Sequence, residues 1–267
     1  MGDLQRRILS SQPTGCTAAL AQARGGTEKT SPIPNDAAWR DIVPRAEQCR
    51  DMAPLILENG VTARMIALNQ VQETSCETNL LPPSFKDAHL TRRRAFLAGR
   101  YCALRALRDG GFDGPAPLHR LENGLVDWPA SRVGSISHSR TWAISLVAPQ
   151  NDGDAIGVDI EQIIGMETAN NIASLVASPR EWRLMQERGD FPSGVTLVFS
   201  AKEALFKALF PATLQFENFD AAALTSVTPV ALVFALTKDW SSRWRCGGRI
   251  TVRYQFFEDH VVTWCRS

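Results

Sequence analysis

From Ala53 onward the chain alternates short apolar runs with Pro, Gly and Asn punctuation. Pro54-Leu55-Ile56-Leu57, a turn at Asn59-Gly60 and Val61–Leu68 have the pattern of a β-hairpin. After Pro82-Pro83-Ser84, the stretch from about Phe85 to Arg108 predicts a long helix, because Leu97, Tyr101, Leu104 and Leu107 form one apolar stripe. Gly110-Gly111 is its expected stop. A Pro/Gly-rich loop leads to Trp128-Pro129. Gly134–Ser139, Trp142–Val147 and Ala155–Glu161 then read as short strands. Helices are expected near Glu167–Val176, Pro179–Arg188 and Lys202–Leu209, followed by strands at Ala231–Leu236, Arg249–Phe257 and Val261–Cys265. Both halves run strand, helix, strand. That order is α+β, with a twofold pseudo-repeat of architecture.

Residues 1–50 break this rhythm. They are rich in Ser, Thr, Gln, Pro and Gly and lack a sustained apolar period, so they read as a poorly ordered N-terminal extension with room for a short helix near Ala37–Arg50. The organised chain divides into an N-terminal half, 51–150, and a C-terminal half, 151–267.

Composition narrows the function classes. At 267 residues and 44% hydrophobic, the chain can bury a sizeable core. A formal net charge of +1 supplies no overall field toward nucleic acid or membrane, so any anion site must be local. No apolar run is long enough to span a bilayer, and the N-terminus lacks the apolar core of a signal peptide, so a cytoplasmic protein is expected. The six cysteines form no C-x-x-C pair and no zinc-type cluster, which predicts free thiols.

The strongest local signal is Gly157-Val158-Asp159-Ile160-Glu161. On a strand, Asp159 and Glu161 leave one face and Val158 and Ile160 the other. Two neighbouring carboxylates repel unless a cation lies between them. Mg²⁺ suits such a pair, since it takes few protein carboxylates and completes its shell with water and phosphates. The competing reading is an acidic, solvent-facing strand. About forty residues on, Phe199-Ser200-Ala201-Lys202-Glu203-Ala204-Leu205-Phe206-Lys207 begins with the spacing of a capping box, Ser200 to Glu203, which would start a helix there. Glu203 is then either a cap or a third metal ligand. Lys207 either pairs with Glu203 one turn away or, with Lys202, faces a phosphate at the helix start.

Thr91–Arg100 holds four arginines, Arg92, Arg93, Arg94 and Arg100. Arg93 and Arg100 point nearly the same way on a helix, with Arg92 within about 100° of both. The group is either a phosphate clamp or a solvated basic face. Gly99 costs roughly 1 kcal/mol relative to Ala within a helix, which a close approach of backbone or ligand would explain. His138, in Ser137-His138-Ser139, is either a satisfied core residue or a ligand for a phosphate or adenosine oxygen; no Ser-His-Asp arrangement surrounds it.

Taken in order, these pieces resemble the 4′-phosphopantetheinyl transferases. Gly157-Val158-Asp159-Ile160-Glu161 followed by Phe199-Ser200-x-Lys202-Glu203-Ala204-x-x-Lys207 is similar to the family signature. The arginine helix ending Phe96-Leu97-Ala98-Gly99-Arg100, Trp128-Pro129 and Gly134–Ser139 resemble its enterobactin-synthase component D, surfactin-type branch. The resemblance covers roughly residues 54–210. It implies a fold of two similar α/β halves with the active site in the cleft between them, coenzyme A as substrate, and Mg²⁺ on its pyrophosphate. It makes Asp159, Glu161 and Glu203 the metal ligands, Lys202 and Lys207 phosphate-binding lysines, and Arg92 and Arg100 the helix positions that hold CoA phosphates, including the 3′-phosphate. It matches His138, with Ser137, to the CoA-binding Ser/Thr-His, and Glu181 to a carboxylate assisting proton removal.

The implied reaction moves phosphopantetheine from CoA to a serine of an apo acyl, aryl or peptidyl carrier protein, with Glu203 or Glu181 as base. Lys207 would assist at the phosphates. Siderophore, nonribosomal peptide or polyketide synthesis is the implied setting, with the enzyme a monomer or associated with a synthase complex. The sequence departs from the family in two places. In the loop before Trp128-Pro129, where members often place a Lys or Arg near the adenine, Arg120 is the residue available to substitute, at a position the alignment does not fix, and the N-terminal extension is long. Rival readings are a CoA-binding regulatory or scaffold protein without transferase activity, and a nucleotide-dependent Mg²⁺ phosphotransfer enzyme; no P-loop motif supports the second.

Overall fold

The computed structural model describes residues 39–43, 57, 60–72, 81–85, 87–151, 154–186 and 189–267. It divides into two compact units between Ile156 and Gly157.

In the first unit, a short helix α1 (Trp39–Ile42) precedes strand β1 (Thr62–Ala67), the long helix α2 (Leu90–Asp109), and strands β2 (Arg132–His138) and β3 (Trp142–Pro149). The strands form an antiparallel sheet in the order β1-β3-β2, with Met65 opposite Ile144 and Ile136 opposite Ser145. Helix α2 lies across all three strands. Its stripe of Leu97, Tyr101, Leu104 and Leu107 is buried, as the spacing requires. Trp39, Ile42 and Val43 join the same core. Residues 39–43 are therefore packed structure within the region read as a poorly ordered extension; the rest of 1–50 lies outside the described residues. So do residues 54–56 of the expected hairpin. Its other arm is β1, which pairs with β3.

Helix α2 begins at Leu90, five residues later than expected. Pro83–Phe85 forms a 3-10 turn, and His89, in an extended conformation, caps α2 by accepting from Thr91 N–H through Nδ1. The helix stops at Gly110-Gly111, as expected. Gly111 takes φ +75°, Gly111 N–H donates to the Arg108 carbonyl, and Phe112 N–H donates to the Leu107 carbonyl. This is the paired closure that a left-handed residue makes possible after a helix end.

The second unit contains β4 (Ile156–Gln162), α3 (Met166–Val176), α4 (Pro179–Met185), α5 (Phe191–Thr213), and β5 (Ala222–Val227), β6 (Ala231–Leu236), β7 (Arg249–Phe257) and β8 (His260–Arg266). Its sheet has the order β4-β8-β7-β6-β5, with β5 through β8 joined antiparallel. Strand β5 adds to the strands expected from the sequence. Helix α5 covers β8 and β7 and packs on α3, while α4 packs on β5. Each unit is thus a sheet covered by one long helix, and the α+β class follows.

The start of α5 corrects the capping assignment. Ser200 is not a cap. It sits fully buried in mid-helix, its hydroxyl 2.9 Å from that of Thr263. The helix begins nine residues earlier, at Phe191, where Asp190 accepts from Ser193 N–H at 3.0 Å. Val195, Leu197 and Val198 extend the buried face backward from Phe199 and carry the helix with them.

Candidate active site

Asp159 and Glu161 stand on β4, whose residues from Ile156 to Glu161 are all buried. The reading of an acidic face in solvent is therefore wrong: Asp159 is 0% exposed and Glu161 8%. Gly157 explains what they face. A Cβ at 157 would lie 1.9 Å from the Ala204 carbonyl oxygen and 2.7 Å from Ala208 N, so β4 crosses α5 at backbone contact. Side chains alternate along a strand, so Asp159 and Glu161 leave the same α5-facing side as Gly157.

Lys207 meets them there. Its Nζ donates to Asp159 Oδ1 at 2.5 Å. Glu203 precedes Lys207 by one helical turn on the same side of α5 and is half-buried. The structure thus brings Asp159 and Lys207 into contact and sets Glu161 and Glu203 on the facing surfaces of β4 and α5. Among the described residues, no three Asp, Glu, His or Cys side chains are already drawn together as a metal site, so Asp159, Glu161 and Glu203 would have to turn toward one another to share an ion. The donors still fit a hard divalent cation. They are the oxygens of three carboxylates, of which Asp159 and Glu161 are buried, and Lys207 would release Asp159 Oδ1 to the ion.

Lys202 and Glu181 are not at this site. Lys202 is 4% exposed, and its Nζ donates to the Val176 carbonyl at 2.9 Å, Glu181 Oε1 at 2.8 Å and the Phe219 carbonyl at 2.9 Å. An ammonium has three N–H donors, so none remains for a phosphate. Glu181 is equally committed. Oε2 accepts from Ser178 N–H and hydroxyl, both at 2.8 Å, completing the capping box of α4, and Oε1 also accepts from Leu224 N–H at 2.9 Å. Burial pushes this carboxyl upward, but the Leu224 N–H, the Lys202 ammonium and Ser178 outweigh it and hold it below the usual range. A carboxylate so saturated is a poor base. The pair ties α3, α4, α5 and β5 together, and both residues leave the set of reacting groups. In sequence, nothing separates a lysine that binds phosphate from one that binds the end of a neighbouring helix.

The first unit carries the arginines. Arg92, Phe96 and Arg100 recur every fourth residue on α2. The Arg92 guanidinium lies 5.1 Å from the Phe85 ring centroid and that of Arg100 lies 4.6 Å from Phe96, while the two rings are 4.7 Å apart. The rings therefore brace both arginines along one stripe. Arg92 is exposed. Arg100 is 6% exposed, and burial, reinforced by the like charge of Arg120, lowers its pKa to about 10. It stays charged at neutral pH. Gly99 is needed for packing, since a Cβ there would meet Ile136 Cγ2 at 2.7 Å.

Strand alternation separates Ser137 from His138. Ile136 and His138 share the α2 side of β2, and His138 is exposed there; Ser137 is buried on the opposite side. The two side chains thus leave opposite faces of the sheet. Trp128 shields the same side of the strand as Ile136, its ring filling the space at Gly134 to 2.6 Å of a Cβ position.

Comparison with known proteins agrees with this partition into two units. Residues 80–148 match the family model of the 4′-phosphopantetheinyl transferase N-terminal domain, and residues 155–265 match that of the 4′-phosphopantetheinyl transferase superfamily. The chain belongs to the 4′-phosphopantetheinyl transferase superfamily. Its relatives set it in the enterobactin-synthase type of branch. It is 31% identical over 181 residues to enterobactin synthase component D of Salmonella typhi, covering 67% of this chain and 73% of that relative. With the protein of the same name from Escherichia coli K12 it shares 38% identity over 138 residues, 50% of this chain and 64% of the relative. A 4′-phosphopantetheinyl transferase of Mycobacterium tuberculosis is 30% identical over 144 residues, 51% and 60% of the two chains. Among solved structures, holo-[acyl-carrier-protein] synthase of Thermotoga maritima aligns with a TM-score of 0.34 at 19% identity, over 42% of this chain and 61% of that one.

Proposed function

We propose that this protein transfers the 4′-phosphopantetheine group of coenzyme A to a serine of an apo carrier protein, releasing 3′,5′-ADP. The observation that carries the reading is the buried Asp159, held against Lys207 where β4 touches α5 within the family-matched segment. A carboxylate fully out of water is costly unless a cation compensates it, and such an arrangement is suited to phosphate chemistry.

Asp159, Glu161 and Glu203 would hold Mg²⁺, which when bound supplies positive charge to the CoA pyrophosphate. Arg92 and Arg100 bind CoA phosphates, and His138, exposed on the same side of the first unit's sheet as α2, donates to a phosphate or ribose oxygen. Lys207 turns from Asp159 toward a phosphate oxygen and stabilises charge that develops during transfer. The carrier serine Oγ bonds to the β-phosphorus as that phosphorus loses its bond to the bridging oxygen of 3′,5′-ADP, and the serine proton passes to a carboxylate. Since Glu181 is saturated, Glu203 is the candidate base. Positioning and electrostatics, rather than covalent catalysis, supply most of the acceleration. The branch points to carriers of siderophore or other nonribosomal synthesis.

The test is incubation of purified protein with CoA, Mg²⁺ and apo carriers of the aryl, peptidyl and acyl types, followed by intact-mass spectrometry. One added phosphopantetheine is expected, lost with EDTA and restored by excess Mg²⁺. CoA binding without any mass gain would point instead to a regulatory or scaffold role. Transfer that survives EDTA would remove the metal from the reaction.

A further inference from the structure

Asp159 is fully buried, and the chain itself supplies a cation to it. Lys207 Nζ donates to Oδ1 at 2.5 Å from a residue 48 positions further along. Backbone packing holds the two together. A Cβ at Gly157 would lie 2.7 Å from Ala208 N, so β4 touches α5 at the residue that follows Lys207. The stem of Lys207 therefore starts beside the strand that carries Asp159. Its ammonium end is less confined, for the side chain keeps 23% exposure against 0% for Asp159. Lys207 can turn toward water or a phosphate oxygen, and Asp159 cannot follow it. Lys202 has no such freedom, because its ammonium is spent on Glu181 and on the carbonyls of Val176 and Phe219.

A buried carboxylate left without a cation is strongly unfavourable, so some positive charge has to stay on Asp159. Two cations have a claim on it. Mg²⁺ sits about 2.1 Å from a carboxylate oxygen. With Lys207 still on Oδ1, the ion and the ammonium would stand less than about 5 Å apart around a buried oxygen, where like charges repel strongly. Each therefore excludes the other from Oδ1.

We propose that Lys207 is the resident counter-ion of Asp159 in the protein without Mg²⁺, and that its departure to a phosphate oxygen opens the metal site. The inference rests on the reading of Asp159, Glu161 and Glu203 as metal ligands given above. Lys207 has to be displaced before Asp159 can bind the ion, so the free protein takes up Mg²⁺ weakly. A phosphate that gives Lys207 a new partner removes the competitor. By linkage, the ion strengthens phosphate binding by the same factor. The same lysine thus stabilises the fold before substrate arrives and couples the metal to the substrate afterwards.

Calorimetric titration of the full chain with MgCl₂, with no CoA present, tests this on wild type, Lys207→Gln and Lys207→Met. Each neutral variant should bind Mg²⁺ about tenfold more tightly than wild type, since one repelling charge is gone. Their thermal midpoints in EDTA should fall by about 5 °C or more and recover most of that loss in about 10 mM Mg²⁺, while wild type should move by less than about 2 °C. Lys207→Arg keeps a cation for Asp159 and should behave as wild type in both measurements. Adding Asp159→Asn to Lys207→Gln should abolish the gain, which locates the ion at that carboxylate. If Lys207→Met does not fold in EDTA, Lys207→Gln reads the same equilibrium, because its amide can still donate to Asp159. Neutral variants that bind Mg²⁺ no more tightly than wild type, or gain no more stability from it, would overturn the exchange; carrier modification by the wild type would then still support the transferase reading. If the variants show the gain but the wild type modifies no carrier, the exchange stands and the transferase reading falls.

Discussion

Gly157 and Ala204 meet backbone to backbone, with 1.9 Å between a Cβ at 157 and the Ala204 carbonyl oxygen. This contact sets the depth at which β4 rests on α5, and so decides that Asp159 meets Lys207. Because the obstacle is a carbonyl, no rotamer change relieves it. Gly157→Ala should destabilise the second unit by about 3 kcal/mol or more, the scale of severe overpacking. Ala204→Gly should not rescue it, since the carbonyl remains. Urea unfolding of the single and double variants checks both statements.

Asp159→Asn keeps the shape of the side chain and removes its charge. Transfer should fall at least about a hundredfold, the range for loss of one electrostatic group at a reacting centre. Stability should drop by only about 1–3 kcal/mol, because Lys207 retains 23% exposure and can turn toward water. Turnover near wild type would take the carboxylate out of the chemistry.

Glu181→Gln should behave in the opposite way. It breaks a buried ion pair and weakens two capping bonds, so a loss of about 3 kcal/mol is expected, with turnover per folded molecule little changed. The pH dependence has a definite sign. The carboxyl of Glu181 titrates below the ordinary glutamate range in the folded protein, so on acidification the unfolded chain takes up the proton first. The stability Glu181 contributes is therefore present above about pH 4.5 and is lost as pH falls through the lower folded value. Unfolding free energies of wild type and Glu181→Gln should converge on acidification. A gap that persists unchanged would show that the charge is irrelevant.

Arg100→Met should trade function against stability. A buried guanidinium is replaced by an apolar chain of similar length, so the thermal midpoint should hold or rise, while KM for CoA rises about tenfold or more. An unchanged KM would leave Arg100 as a packing residue only.

Much of this fold is legible in the sequence. The stripe through Leu97, Tyr101, Leu104 and Leu107, the glycine stop after Asp109, and the strands around Ser135, Ile144 and Val158 follow from local spacing and turn chemistry. The later strands β6 to β8 are likewise apolar runs that local pattern identifies. The ordered signature from Gly157 to Lys207 also pointed to the family that the comparisons support. The sequence also carries the true helix start at Asp190, an Asp followed by Pro192 and Ser193, but Ser200 and Glu203 have the same spacing nearer to the charged residues.

By itself the sequence determined the order of most of the elements, the α+β class and the residue types available for phosphate chemistry, since these depend on neighbours along the chain. Tertiary structure decided which of those residues are free to act. Lys202 and Glu181 matched the pattern as well as Lys207 did, yet their donors and acceptors are consumed by Val176, Phe219, Ser178 and Leu224. Asp159 could have faced water and is instead buried against a lysine 48 positions away. Hydrogen-bond saturation and burial are set by long-range contacts, and no local pattern encodes them.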